Sequence, residues 1–205
     1  MKTILFSGNS AWSMYNFRRQ IFEYFVKQGL RVCVVSPFDE EFTPKIDALG
    51  CEFIALEMEA KGVNPIKDFG VYTSYRKIMR SIKPDFCFFY TIKPNIYGSF
   101  AATSLNIPHI AITTGLGYTF INNNIVSFVA KKLYKLAFRK TKQVWFLNKD
   151  DEKAFLAEKI INKNKAYVMQ GGEGVDLTRF EKTTLPTDVS FLLLARMLWD
   201  KGILS

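Results

Sequence analysis

The chain has a single histidine, His109, and three cysteines, Cys33, Cys51 and Cys87, with no C-x-x-C pair among them. With so few soft ligands and none at metal-binding spacing, zinc and iron–sulfur chemistry are excluded as organising principles. Each cysteine sits in or beside an apolar run, as in VCVVS and FCFFY, so buried, reduced thiols of a cytoplasmic protein are expected. No stretch reaches the 18 apolar residues that would mark a membrane span. The start, MKTILFSGNSAW, has one lysine and too short an apolar run for a signal peptide, and reads as a first β-strand. There are no internal repeats and no low-complexity tract. Acid is scarce as well: 28 Lys and Arg face 19 Asp and Glu, a net charge of +9, which directs the protein toward anionic partners, whether nucleic acid, lipid surface or phosphate-bearing substrate.

What the chain has in quantity is apolar residues, 48% of 205, including 19 Phe. They fall into short runs alternating with longer helical patterns. Residues 3–7, 31–36, 51–56, 86–91, 109–113, 143–148 and 166–170 read as strands; 14–28, 40–49, 67–82, 95–105, 124–140 and 150–161 read as helices. The strand runs are continuously apolar rather than alternating, the pattern of a parallel sheet covered on both sides. The expected fold class is therefore α/β, a Rossmann-like parallel sheet with helices on both faces. Ligands of such sheets bind where the strands end, so the loops after strands one, four, five and seven are expected to line one crevice. A polar segment with Pro186 marks a boundary near 181–188. The expected division is a first domain over 1–183, then linker and the start of a second domain over 184–205, which a strand and part of a helix cannot complete alone.

The crevice loops carry the candidate site. Ser7-Gly8-Asn9-Ser10 precedes a helix, whose N-terminal N–H groups favour anions; a plain polar turn is the alternative, and the absence of G-x-G-x-x-G argues against a conventional dinucleotide site. Thr91–Gly98 (TIKPNIYG) offers Lys93 for phosphate and Asn95 and Tyr97 for sugar hydroxyls, or else a helix start with Pro94 in its first turn. Thr113–Phe120 (TTGLGYTF) joins Gly115 and Gly117 to Tyr118, whose ring suits a sugar face or simple packing. His109, at a strand start after Pro108, reads as a structural histidine. Gly172–Phe180 (GEGVDLTRF) sets Glu173, Gly174 and Asp176 in a loop between domains, and Arg196 and Lys201 can clamp a diphosphate or be ordinary surface charge. Along 124–142, Lys131, Lys132, Lys135, Arg139 and Lys142 fall within an arc of about 100°, with Ile125, Val129, Leu133 and Leu136 on another side. That arc is either a solvated helix face or a surface that docks on anionic lipid, and Tyr72, Tyr75, Arg76, Lys77 and Arg80 can extend it.

In the order SGNSAW…NFRR, YTIKPNIYG, NIPHIAITTGLGYTF, GGEGVDLTRF and LLLARMLWDKGI, the chain resembles bacterial retaining glycosyltransferases of family 4, in the branch that builds capsule, O-antigen and related lipid-linked glycans. The resemblance implies a GT-B architecture, two Rossmann-like domains facing across a cleft, of which this chain is the N-terminal, acceptor-side half. It implies metal-independent transfer from a nucleotide sugar with retention, no cofactor, and a peripheral position on the inner face of the cytoplasmic membrane. Arg196 and Lys201 match the family's diphosphate-binding pair, and Gly8 and Asn9 the loop that approaches the donor phosphates. Gly115 and Gly117 match the loop beside the reacting centre; Ser10, Lys93, Asn95, Tyr97 and Tyr118 join them on the acceptor and sugar side. Many members carry a histidine near this glycine loop, where Thr113 and Thr114 stand here, so no catalytic base is assigned. The expected reaction moves a hexose or N-acetylhexosamine, UDP-linked, to a polyprenyl-diphosphate-linked acceptor. Its rivals are a nucleotide-sugar epimerase of the same architecture, which needs no lipid, a catalytically silent partner subunit, and a basic nucleic-acid-binding module, which none of the known recognition patterns supports.

Overall fold

The computed structural model describes residues 1–59, 64–116, 125–184, 187–189 and 191–192. Its seven strands are β1 (Thr3–Ser7), β2 (Arg31–Ser36), β3 (Glu52–Ala55), β4 (Phe86–Tyr90), β5 (His109–Thr113), β6 (Gln143–Phe146) and β7 (Ala166–Val168). They form one sheet in the order β3-β2-β1-β4-β5-β6-β7, parallel throughout. The helices are α1 (Ala11–Lys27), α2 (Phe42–Asp47), α3 (Pro65–Ile82), α4 (Ser99–Ser104), α5 (Ile125–Ala137) and α6 (Lys149–Ala157), with a π turn at Pro94–Gly98 before α4. The expected doubly wound α/β class is therefore the observed one.

Right-handed crossovers explain the layers. The chain winds from β1 to β3 in one direction, then returns to β4 and winds to β7 in the other, so α1 and α2 cover one face and α3 to α6 the opposite face. Alternate residues of each central strand feed the two cores. Leu5, Cys33, Val35, Cys87 and Phe89 pack under α3 and α4 with Tyr75 and Met79, whereas Ile4, Phe6, Val32 and Val34 pack under α1 with Met14 and Phe22. A third cluster gathers Ala111, Val144 and Phe146 beneath Tyr134, Phe138 and Phe155 of the α5–α6 region. All three cysteines are free and buried, as their apolar settings predict. Burial pushes the thiols up, to about 11 for Cys33 and about 12 for Cys51, so they are inert at neutral pH.

Two elements differ from the sequence expectation. The helix expected over 95–105 starts earlier and is not regular: helical backbone begins at Ile92, just after Thr91 takes a left-handed φ of 67°, widens into a π turn over Pro94–Gly98, and continues as α4 from Ser99. The helix expected over 150–161 stops at Ala157, because Lys159 turns left-handed at φ 52° and folds Ile160 and Ile161 back into the third core. The chain divides into two compact units, Met1–Gly174, which holds the whole sheet, and Val175–Ser205. In the second, Asp176 accepts from the Thr178 backbone N–H at 3.0 Å and its hydroxyl at 2.6 Å, fixing a turn.

Candidate functional site

The winding direction reverses between β1 and β4, so the loops leaving their carboxyl ends cannot cover one another and a crevice opens there. The loop after β1 is tight: the Gly8 N–H donates to the Val35 carbonyl, and a Cβ on Gly8 would lie 2.5 Å from Met14 Sδ. Gly8 is buried beside the half-buried Asn9. Ser10 ends the loop as the cap of α1, its hydroxyl accepting from the Ser13 N–H at 3.2 Å. The N-terminal end of a 17-residue helix thus faces the crevice, with backbone N–H groups disposed toward an anion. Ser10, grouped above with the sugar-binding residues, is engaged in holding this end together.

Beneath that helix end lies a charged arrangement that the sequence reading did not assign. Arg18 is 3% exposed. Its Nη1 donates to the Ser13 carbonyl at 3.0 Å and its Nη2 to Glu173 Oε1 at 2.6 Å, while its guanidinium carbon sits 4.3 Å from the centre of the Tyr90 ring. One side chain therefore ties together α1, the end of β4 and the glycine loop after β7. That loop reaches Glu173 through left-handed Gly171 and Gly172, and leaves it through left-handed Gly174. Burial holds the Glu173 carboxyl above its ordinary pKa, and Arg18 opposes the shift. The signal was present in the pattern: Ala11, Met14, Arg18 and Phe22 are the buried stripe of α1, and an arginine within an apolar i, i+4, i+8 series requires an internal partner.

The TIKPNIYG segment is also turned inward. Lys93 Nζ donates to Asp68 Oδ1 at 2.8 Å and the Tyr97 hydroxyl to Asp68 Oδ2 at 3.0 Å, with the Lys93 and Asp68 side chains 11% and 6% exposed. Asn95 is buried, and its Nδ2 donates to the Ile112 carbonyl at 3.0 Å. These three residues, expected at the rim to meet phosphate and sugar hydroxyls, instead tie the π turn to α3 and β5. The physical reason is Asp68 in the first turn of α3: a buried carboxylate needs charge and hydrogen bonds, and Lys93 and Tyr97 supply them. Among the described residues, Asn95 Oδ1 and Thr113 Oγ1 are buried without a hydrogen-bond partner at the ends of the π turn and β5. Thr114 and Gly115 follow, exposed, with Gly115 at φ 141°. Gly117 and Tyr118, and likewise Arg196 and Lys201, lie outside the described residues.

His109 is structural, as read from the sequence: it is 1% exposed, its Nδ1 donates to the Ile107 carbonyl at 3.0 Å, and Nε2 faces the Thr141 hydroxyl at 3.0 Å. Burial keeps its pKa below the ordinary histidine value, so the ring is neutral. No cluster of three metal-ligating side chains occurs among the described residues. An open groove of about 540 Å³ between β3 and α3, lined by Glu52, Ile54, Leu56, Ser74, Lys77 and Ile78, lies away from the switch point. On α5 and just beyond it, Lys132, Lys135, Arg139 and Lys142 are exposed, whereas Lys131 is drawn to Glu158 at 2.6 Å.

A parallel sheet in 3-2-1-4-5-6-7 order, with a helix N-terminus at its switch-point crevice, defines the Rossmann-like half-domain found in GT-B glycosyltransferases and sugar-nucleotide epimerases. Residues 3–148 match the family described as Glycosyl transferase 4-like, and the chain belongs to that family. A curated relative, the N,N'-diacetylbacillosaminyl-diphospho-undecaprenol alpha-1,3-N-acetylgalactosaminyltransferase of Campylobacter jejuni, is 28% identical over 217 residues, covering 97% of this chain. The chain spans 57% of that relative's length. Among solved structures, Anabaena HepE in complex with UDP and glucose superposes with a TM-score of 0.64 at 14% identity, over 89% of this chain and 47% of that one. A glycosyltransferase from Rickettsia africae gives 0.64 at 21% identity, over 91% and 46%. The UDP-GlcNAc 2-epimerase of Neisseria meningitidis gives 0.57 at 15%, over 82% and 46%. At these identities the structures share the fold with this chain.

Proposed function

We propose that the protein is a retaining glycosyltransferase that moves a hexose or N-acetylhexosamine from a UDP-linked donor to a sugar on a polyprenyl-diphosphate carrier, in surface polysaccharide synthesis at the inner face of the cytoplasmic membrane. The observation that carries this reading is the family match together with a relative, aligned along 97% of the chain, whose name specifies a diphospho-undecaprenol-linked acceptor. In this reading residues 1–183 form the acceptor-side domain and residues 184–205 lead into a nucleotide-sugar-binding domain. No metal or cofactor is called for.

The α1 N-terminus, with Gly8 and Asn9, faces the donor phosphates, and Arg196 and Lys201 neutralise charge on the departing diphosphate. Thr114, Gly115, Gly117 and Tyr118 border the reacting sugar, and the exposed cations Lys132, Lys135, Arg139 and Lys142 turn toward the anionic membrane. The test incubates the complete protein with a synthetic polyprenyl-diphosphate sugar and a panel of nucleotide sugars, following nucleotide diphosphate release and product mass. Acceptor-dependent release with one sugar added is expected, and loss of transfer in Arg196→Ala. Wild-type rates in that variant refute the clamp. Epimerases among the structural neighbours favour one alternative, which release without acceptor, or donor isomerisation, would establish.

A further inference from the structure

Arg18 holds more than a carboxylate. Its guanidinium carbon lies 4.3 Å from the centre of the Tyr90 ring and 5.3 Å from that of Phe17, both within reach of cation–π attraction. Tyr90 is buried, whereas Phe17 is 52% exposed and meets Trp12, itself 49% exposed, edge to face at 5.5 Å. At about 100° per residue, Tyr15 and Phe17 leave α1 on opposite sides of its buried stripe. Tyr15 turns to Phe42 of α2, the helix that packs on β3. Phe17 therefore lies on the side of β4, where Arg18 reaches Tyr90 and where the winding of the sheet reverses. Two large aromatic side chains thus stand half in solvent beside the switch-point crevice, outside all three cores.

Arg18 also positions a carboxylate that is only half used. Glu173 Oε1 takes the Arg18 bond at 2.6 Å, and among the described residues no donor meets Oε2, although 17% of the side chain is open to solvent. The charges of Arg18 and Glu173 cancel, and residues 3–17 carry no charged side chain, so the surface offered here is neutral. It differs in this from the end of α1 at Gly8 and Asn9, which favours an anion. The matching ligand has an apolar face and hydroxyl donors on its rim, which is a pyranose ring: its C–H face covers the aromatic pair, and its hydroxyls donate to the free carboxylate oxygen. A uracil ring stacks equally well, but it sets carbonyl oxygens on both sides of its N–H, and these repel a carboxylate.

We propose that Trp12, Phe17 and Glu173 form a subsite for a neutral sugar ring, with Arg18 behind both its aromatic and its carboxylate wall. The proposal deepens the function given above and rests on it for the source of the ring, the terminal sugar of the acceptor, because α1 belongs to the acceptor-side domain in that reading.

The test is isothermal titration of the complete protein, without donor, with short-chain prenyl diphosphates that carry no sugar or one of a panel of hexoses and N-acetylhexosamines. The sugar-free probe reports every contact except those to the ring. Wild type is expected to bind a sugar-bearing probe at least about tenfold more tightly than the sugar-free one. Trp12→Ala is expected to reduce that preference about fivefold, and Glu173→Gln, which keeps an acceptor for Arg18, by about as much. Binding of the sugar-free probe is expected to stay unchanged in both, which also shows that they fold. Trp12→Phe, which keeps a ring face, is expected to recover most of the preference. A wild type that binds all probes alike, variants that keep the preference, or an equal loss on both kinds of probe overturns the subsite. So does a loss confined to UDP-sugars over UDP, titrated in parallel, since the ring is then the donor's. Turnover separates the two readings: a wild type that shows the preference but transfers no sugar refutes the function and leaves the subsite, whereas transfer with an unchanged acceptor KM in both variants refutes the subsite and leaves the function.

Discussion

Arg18→Met removes the cation from the arrangement that joins α1, β4 and the loop after β7. Arg18 and Glu173 are 155 residues apart, meet at 2.6 Å, and have side-chain exposures of 4% and 17%. Breaking a buried pair by deleting one partner costs about 3–5 kcal/mol. Water reaches part of Glu173, so the lower end, about 3 kcal/mol, is expected. Glu173→Gln keeps an acceptor for the guanidinium but not its charge, and is expected to cost about 1 kcal/mol. Replacing both, Arg18→Met with Glu173→Leu, removes the unpaired charge, and the double variant is expected to be more stable than Arg18→Met alone, with a coupling of about 2 kcal/mol. The single variant also acquires a pH signature. Burial already raises the Glu173 pKa and Arg18 opposes it, so removing Arg18 raises it further. A folded-state carboxyl pKa above the unfolded value of about 4.3 means stability present at low pH and lost as pH rises through the folded value. The cost of Arg18→Met is therefore expected to be full at pH 8 and to shrink toward pH 4.5. Urea unfolding followed by circular dichroism at both pH values, on wild type, both singles and the double, measures it. A cost below about 0.5 kcal/mol, the same at both pH values and additive in the double, would refute the reasoning.

Gly98→Ala is expected to destabilise by about 1–3 kcal/mol, because its Cβ would stand 2.5 and 2.6 Å from two atoms of the fully buried Phe89 ring, which is held in turn by Tyr75 and His109; thermal unfolding reads it. His109 is held neutral by burial, so its folded pKa lies below the unfolded value and stability is expected to fall as pH drops below about 6.5. His109→Gln should flatten that part of the stability–pH curve, and an unchanged slope would assign it to other groups.

Much of the architecture follows from local pattern. Strands β1, β2 and β5 occupy the expected spans because continuous Val/Ile/Phe runs closed by polar, Gly or Pro residues have no other stable setting in a chain alternating with helical periods. The parallel class, the crevice loops and the inert cysteines follow from the same alternation. The role of the TIKPNIYG residues does not, since Lys93, Asn95 and Tyr97 have rim chemistry by type and become internal ties only when Asp68 of a different helix is brought beside them. Arg18 and α5 show where that boundary lies. An arginine in an apolar stripe states that a partner exists, while the choice of Glu173 depends on chain returning after seven strands. Likewise, the period of α5 groups Ile125, Phe128 and Leu136 with the exposed Lys132, Lys135 and Arg139, but it does not say which distant side chains the other side of the helix will meet. The packing of Tyr134 and Phe138 against Phe155 decides it, and leaves Ile125, Phe128 and Leu136 to solvent. Local sequence determines the elements because propensity and period act within a few residues; tertiary structure determines the site because charge pairing and burial depend on which distant side chains the fold makes neighbours.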